Sequence, residues 1–186
     1  MAQEKLSRDA WLAAGFRSLA KDGPKAVQIN NLAKELRATK GSFYWHFRDI
    51  GDYKEAMLDL WRTKVASEVV EDITAQSTHE AKLEALFSNA TRPPPPDYGG
   101  RKIEPAMRAW ALTDKDVAAA LADLDALRLG FLKALFDDLG LEGKVLSELA
   151  YGAYIGLDDL QSKERIDSTN AFALLKSIVL AMAEKT

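Results

Sequence analysis

The 186-residue sequence contains no cysteine, which excludes disulfides, zinc–thiolate sites and cysteine nucleophiles. Histidine is almost as scarce. His46 and His79 are the only two, too few for a multi-histidine site, and neither a metal nor a cofactor is expected. Long apolar runs are missing as well. The longest, Val117–Ala122 and Ile178–Ala183, span six residues each, against the roughly 20 of a membrane-spanning helix, so no membrane partner is expected. The opening MAQEKLSRDAW has no apolar stretch of the signal-peptide kind, and the expected compartment is the cytoplasm. Gly140-Leu141-Glu142-Gly143-Lys144 is too short for a phosphate-binding loop and lacks the following Ser or Thr. With no Ser/His/Asp set either, catalysis is not expected. β-branched residues are scattered and do not alternate over the length of a strand.

What remains is a soluble-type composition, 47% hydrophobic and 28% charged. The net charge of −3 conceals a split. Residues 1–50 carry nine Lys/Arg against five Asp/Glu, while residues 51–186 carry 16 against 23. A basic head on an acidic body suits a polyanionic partner for the head.

Apolar residues recur at spacings of three and four, so the chain reads as all-α. Ser7 is placed to cap a first helix with the stripe Leu12, Phe16 and Leu19, stopped by Asp22-Gly23-Pro24. A short helix is expected over 29–36. Thr39 should cap a very short one through Trp45. A longer helix should begin near 49–52 and carry Tyr53, Met57, Leu60, Trp61 and Val65 toward Ile73. Further helices are expected from Thr78 to Arg92, from Ile103 to Leu112, from a Thr113 cap to Gly140, and over 144–161 and 168–183. Between Arg92 and Ile103, four prolines and two glycines make a loop that is stiff and then loose. The division this implies is a head at 1–50, a connecting helix at about 51–76 and a body at 77–186.

The two short helices with their three-residue turn form a helix-turn-helix arrangement. Its second helix is loaded with residues that meet DNA. Thr39, Lys40, Gly41 and Ser42 lie at the end that enters a major groove, where Lys40 can donate to guanine O6/N7 and Gly41 allows close approach. Tyr44 and His46 can hold phosphates, and Trp45 lies on a different side from the core positions Phe43 and Phe47. Leu32-Ala33, then Thr39-Lys40-Gly41-Ser42-Phe43-Tyr44-Trp45-His46-Phe47, preceded by Leu19-Ala20-Lys21-Asp22-Gly23, resembles the DNA-binding head of the tetracycline-repressor (TetR) family of bacterial transcription regulators. The detailed resemblance covers about residues 7–62.

That resemblance implies a homodimeric regulator that binds a double-stranded operator and is released by a small-molecule effector held in the body. Three positions depart from the family pattern. Arg37 stands where a turn glycine is usual. Ile50 stands where a phosphate-binding lysine is usual, which leaves Arg48 to supply the charge. Gln28 stands where a Ser or Thr cap is usual, and it still reaches phosphate.

In the body, Trp61, Phe87, Trp110, Phe131 and Tyr154 are candidates to line an effector site for a small, mostly apolar molecule, with the 93–100 loop as its gate. The last two helices carry apolar faces wider than one neighbour needs. Leu149, Gly152, Ala153, Gly156 and Leu160 on one, with Leu174, Leu175, Ile178 and Met182 on the other, are expected to form the dimer interface. The competing expectation is a helical dimeric binding protein with no sequence-specific affinity for DNA, favoured by Ile50 and the acidic total charge.

Overall fold

The computed structural model describes residues 6–63, 68–92 and 94–183. Among them there are ten α-helices and no strand. The helices are α1 (Arg8–Asp22), α2 (Ile29–Glu35), α3 (Lys40–Tyr44), α4 (Ile50–Arg62), α5 (Glu68–Thr74), α6 (His79–Thr91), α7 (Ile103–Ala111), α8 (Lys115–Asp138), α9 (Gly143–Ser162) and α10 (Thr169–Ala183). No helix among the described residues is long and apolar enough to cross a membrane.

The caps explain most boundaries. The Ser7 hydroxyl accepts from the Ala10 amide at 3.1 Å, Thr39 from Ser42 at 3.2 Å and Thr78 from Ala81 at 3.1 Å. One expected cap moves. The Asp114 carboxylate accepts from the Asp116 and Val117 amides and caps α8, whereas Thr113 turns back to donate to the Trp110 carbonyl. Two acceptor oxygens carrying a charge outcompete a hydroxyl at a helix N-terminus. Val65, from the expected stripe after α4, lies outside the described residues.

The chain forms two compact units. The first holds the chain through Trp61 together with the stretch from 94 to Ala119, so α7 and the start of α8 pack in the same unit as α1–α4. Its core is aromatic. Trp11, Phe16, Phe43, Phe47 and Tyr53 are all at most 2% exposed. Phe43 lies 5.3 Å from Trp11 edge-on and 5.1 Å from Phe47, whose ring meets Tyr53 at 4.9 Å. The Tyr53 hydroxyl donates to the Trp11 carbonyl at 2.7 Å. It reaches there over Gly15, where any Cβ would collide with the phenol oxygen. Burial pushes the Tyr53 phenol well above its ordinary pKa, so it stays a donor at all ordinary pH.

The second unit comprises Arg62–Arg92 and the chain from Ala120 onward. Leu83 and Phe87 of α6, Leu132, Leu135 and Phe136 of α8, and Phe172 and Val179 of α10 form its core.

Candidate nucleic-acid interface and effector region

The helix-turn-helix is set by its turn. At the end of α2 the Ala38 amide donates to the Ala33 carbonyl at 2.8 Å and the Arg37 amide to the Lys34 carbonyl at 3.2 Å. That pair of bonds satisfies the last carbonyls of the helix and requires the intervening residue to be left-handed. Arg37 accordingly has φ +51°, a conformation that glycine adopts at no cost and arginine adopts under strain. The turn is therefore closed with an arginine, not a glycine, in the left-handed position.

From that turn, Thr39 starts α3 and Phe43, fully buried, fixes its rotation. The opposite side is then presented outward. Thr39, Lys40 and Gly41 are exposed and Ser42 is half-buried. Tyr44 is 55% and Trp45 76% exposed, unusually high for large aromatic rings. Gln28, the N-terminal cap position of α2, makes no capping bond and its side chain is exposed. An open recess of about 280 Å³ brings Gln28, Lys40 and Tyr44 together with Ile29, Asn30 and Ile50. The sequence reading includes the first three and misses Ile29 and Asn30. Their signal was the same helix start that drew attention to Gln28.

Two expected phosphate ligands are engaged within the chain. His46 Nε2 lies 2.7 Å from the Leu6 carbonyl oxygen, so that nitrogen carries a proton and donates to the backbone 40 residues earlier. The Arg48 guanidinium meets Asp52 at 3.4 Å, and the Arg48 amide donates to the other Asp52 oxygen at 2.9 Å. That amide, ahead of the Arg48 charge and against a smaller burial effect, holds the Asp52 carboxyl below its ordinary pKa. The corner where Arg48 is expected to replace a lysine thus carries a partly neutralised cation.

The five candidate effector residues do not share one unit. Trp61 and Trp110 belong to the first, Phe87, Phe131 and Tyr154 to the second. Trp110 is buried, with Lys54 Nζ 5.4 Å from its ring centroid. Within the second unit, Tyr154 stacks on Tyr151 at 6.1 Å and approaches Phe172 at 6.4 Å. The Arg128 guanidinium sits over both tyrosines, at 5.8 and 5.7 Å, and donates to the Tyr151 hydroxyl at 3.0 Å. That hydroxyl donates to Asp125 at 2.6 Å. From the sequence Asp125, paired with Asp123, reads as part of a solvated face, and Arg128 carries no signal of its own. Their i, i+3 spacing on α8 acquires meaning only when α9 brings two tyrosines against it. The 93–100 loop, expected as a gate, has its described part in the first unit, with the Tyr98 ring 5.7 Å from Phe16 of α1.

The expected interface residues are largely open. On α9 Leu149 is 59% exposed, Leu160 is exposed, and Gly152 and Gly156 have nothing within 4 Å of where a Cβ would lie. On α10 Leu174 is 62% exposed, and Ile178 and Met182 are exposed too. Ala153 and Leu175 are half-buried. Val145, 51% exposed, extends the α9 face by one turn beyond the expected set.

Residues 12–58 match the sequence profile of the bacterial regulatory proteins of the tetR family. No curated protein matches the chain in sequence. Solved structures match it along nearly its whole length. A TetR transcriptional regulator from Legionella pneumophila superposes with a TM-score of 0.74 at 17% identity, covering 98% of this chain and 99% of that one. A putative TetR-family regulator from Rhodococcus sp. gives 0.71 at 18% identity, covering 94% and 96%. The reduced form of E. coli NemR gives 0.71 at 17%, covering 92% and 96%.

Proposed function

We propose that this chain is a transcription regulator of the TetR type, a homodimeric repressor that leaves its operator when a small molecule binds, a reading supported by the family match of residues 12–58 and by the shared fold. The observation that carries the DNA-reading role is the outward face of α3. Lys40, Tyr44 and Trp45 are exposed while Phe43, between them in sequence, is buried and locks the helix. Lys40 reads a base edge by donating to guanine, Ser42 and Gly41 allow close approach, and Tyr44 and Gln28 position the duplex through phosphates.

A dimer follows from the exposed apolar faces of α9 and α10, which a solitary chain would leave in water. It presents two heads to successive major grooves of a symmetric site. The effector is proposed to meet Phe87, Phe131 and Tyr154 in the second unit. Trp61 and Trp110 are assigned to the packing of the first. The ligand releases DNA only by binding better to the conformation whose heads do not match the groove spacing. Regulators of this family are generally not enzymes, and we assign this chain no catalytic activity and a cytoplasmic location.

Selection of duplexes from a random pool, followed by titration at several salt concentrations, tests the reading. A preferred palindromic sequence and a steep inverse dependence on salt are expected. Binding with no sequence preference would replace this reading with that of a dimeric helical binding protein, which Ile50 and the Arg48–Asp52 pair favour.

A further inference from the structure

Between α6 and α7 the chain forms two short helical turns, Pro96–Tyr98 and Gly100–Lys102, and the first of them packs on α1. Gly99 joins the two turns with φ +89°, in the left-handed region. A Cβ on Gly99 would stand 2.9 Å from Ala20 Cβ and 3.2 Å from the Phe16 carbonyl, so this backbone lies directly against α1. It would also stand 3.1 Å from Ile103 Cβ, at the start of α7. Only glycine meets both the conformation and the approach. Beside it the Tyr98 ring packs edge-on against Phe16, which is itself buried in the head core. Asp97 reaches Arg17 at 3.7 Å, and the same guanidinium holds Glu35 of α2 at 2.8 Å. Glu35 in turn accepts from the Ser18 hydroxyl at 2.9 Å. Asp97 is 80% exposed, so its ion pair contributes little on its own. The apolar seat of Tyr98 and Gly99 does the holding, and Arg17 connects that seat to the first helix of the helix-turn-helix.

We propose that residues 94–102 are a strap whose seat on α1 holds the helix-turn-helix in its DNA-reading pose. Moving the strap loosens α2 and α3 without unfolding the head. Three consecutive prolines, Pro94 to Pro96, stiffen its leading end, so a displacement there reaches Gly99 instead of being absorbed along the way. The strap is a device of this sequence: it depends on a glycine at 99, an aromatic at 98 and an arginine at 17 that touches both the strap and α2.

The full-length protein tests this with Gly99→Val, which forces the strap off α1, and Tyr98→Ala, which removes the ring and leaves the backbone free. Each is titrated against the duplex that the unmodified protein selects, with amide exchange followed along the chain. The expected result is an affinity about tenfold weaker for both variants. Faster exchange in α2 and α3, with α9 and α10 unchanged, should accompany it. Should Gly99→Val fail to fold, Tyr98→Ala carries the test by itself. Affinity within about twofold of the unmodified protein, with unchanged exchange in α2 and α3 while residues 94–102 exchange faster, would overturn the proposal. The strap would then be free and the head indifferent to it.

Discussion

Lys54 of α4 and Asp114, the cap of α8, lie 3.0 Å apart across 60 residues of sequence. The same carboxylate accepts the first free amides of α8, so one side chain both starts a helix and meets α4, the helix that follows α3. Burial pushes the Asp114 carboxyl pKa up. The hydrogen bonds from Lys54 and from the Val117 and Asp116 amides, with the Lys54 charge, outweigh that and hold it below its ordinary value. A depressed carboxyl contributes stability above its unfolded pKa and loses it as pH falls through the folded one. Asp114→Ala should therefore cost about 1–2 kcal/mol at pH 7. The difference between the two proteins should shrink once the pH falls below about 4. Urea unfolding at neutral and acid pH measures both.

Arg37 predicts a gain. Its left-handed backbone is imposed by the two hydrogen bonds that close α2. Arg37→Gly should stabilise the chain by about 0.5–1 kcal/mol, read as a higher Tm. A lower Tm would mean that the arginine side chain contributes more than its backbone costs.

Ile50 lines the recess beside Lys40 and Tyr44, and under the proposed DNA-reading role a cation there would face a phosphate. Ile50→Lys should raise affinity for the selected duplex at low salt and steepen the salt dependence by about one contact, roughly 0.9 in the log–log slope. Titrations at three salt concentrations decide it. An unchanged slope would place position 50 away from the phosphate backbone.

Lys40 and Tyr44 should separate reading from positioning. Lys40→Ala should cost about 1–3 kcal/mol on the preferred duplex and little on unrelated ones. Tyr44→Phe should weaken all duplexes alike. Competition binding with the preferred and a scrambled duplex distinguishes the two patterns.

Gly156 gives a clean test of the dimer. Nothing lies within 4 Å of a Cβ added there, so Gly156→Leu should leave the fold of a single chain intact. Inserted into a close helix–helix interface, the same side chain should shift sedimentation from dimer toward monomer. An unmodified protein that sediments as a stable monomer at micromolar concentration would refute the interface.

Most helix boundaries and the outward face of α3 were legible in the sequence because they rest on local physics. Ser7, Thr39 and Thr78 cap amides three residues away, and Phe43 and Phe47 share a buried side at a spacing of four. The open faces of α9 and α10 were legible for the same reason: a stripe too wide for one neighbour shows in the spacing alone. Tertiary structure decided what depends on residues far apart in the chain. It turned His46 toward Leu6, set Trp110 beneath Lys54, sent the Tyr53 hydroxyl over Gly15 to Trp11, and seated Gly99 on α1. It also divided the aromatic residues of the expected effector wall between two units. Helical periodicity states which side of a helix is apolar. It does not state which helix will cover that side, because the choice depends on shape and volume matching among all the helices at once.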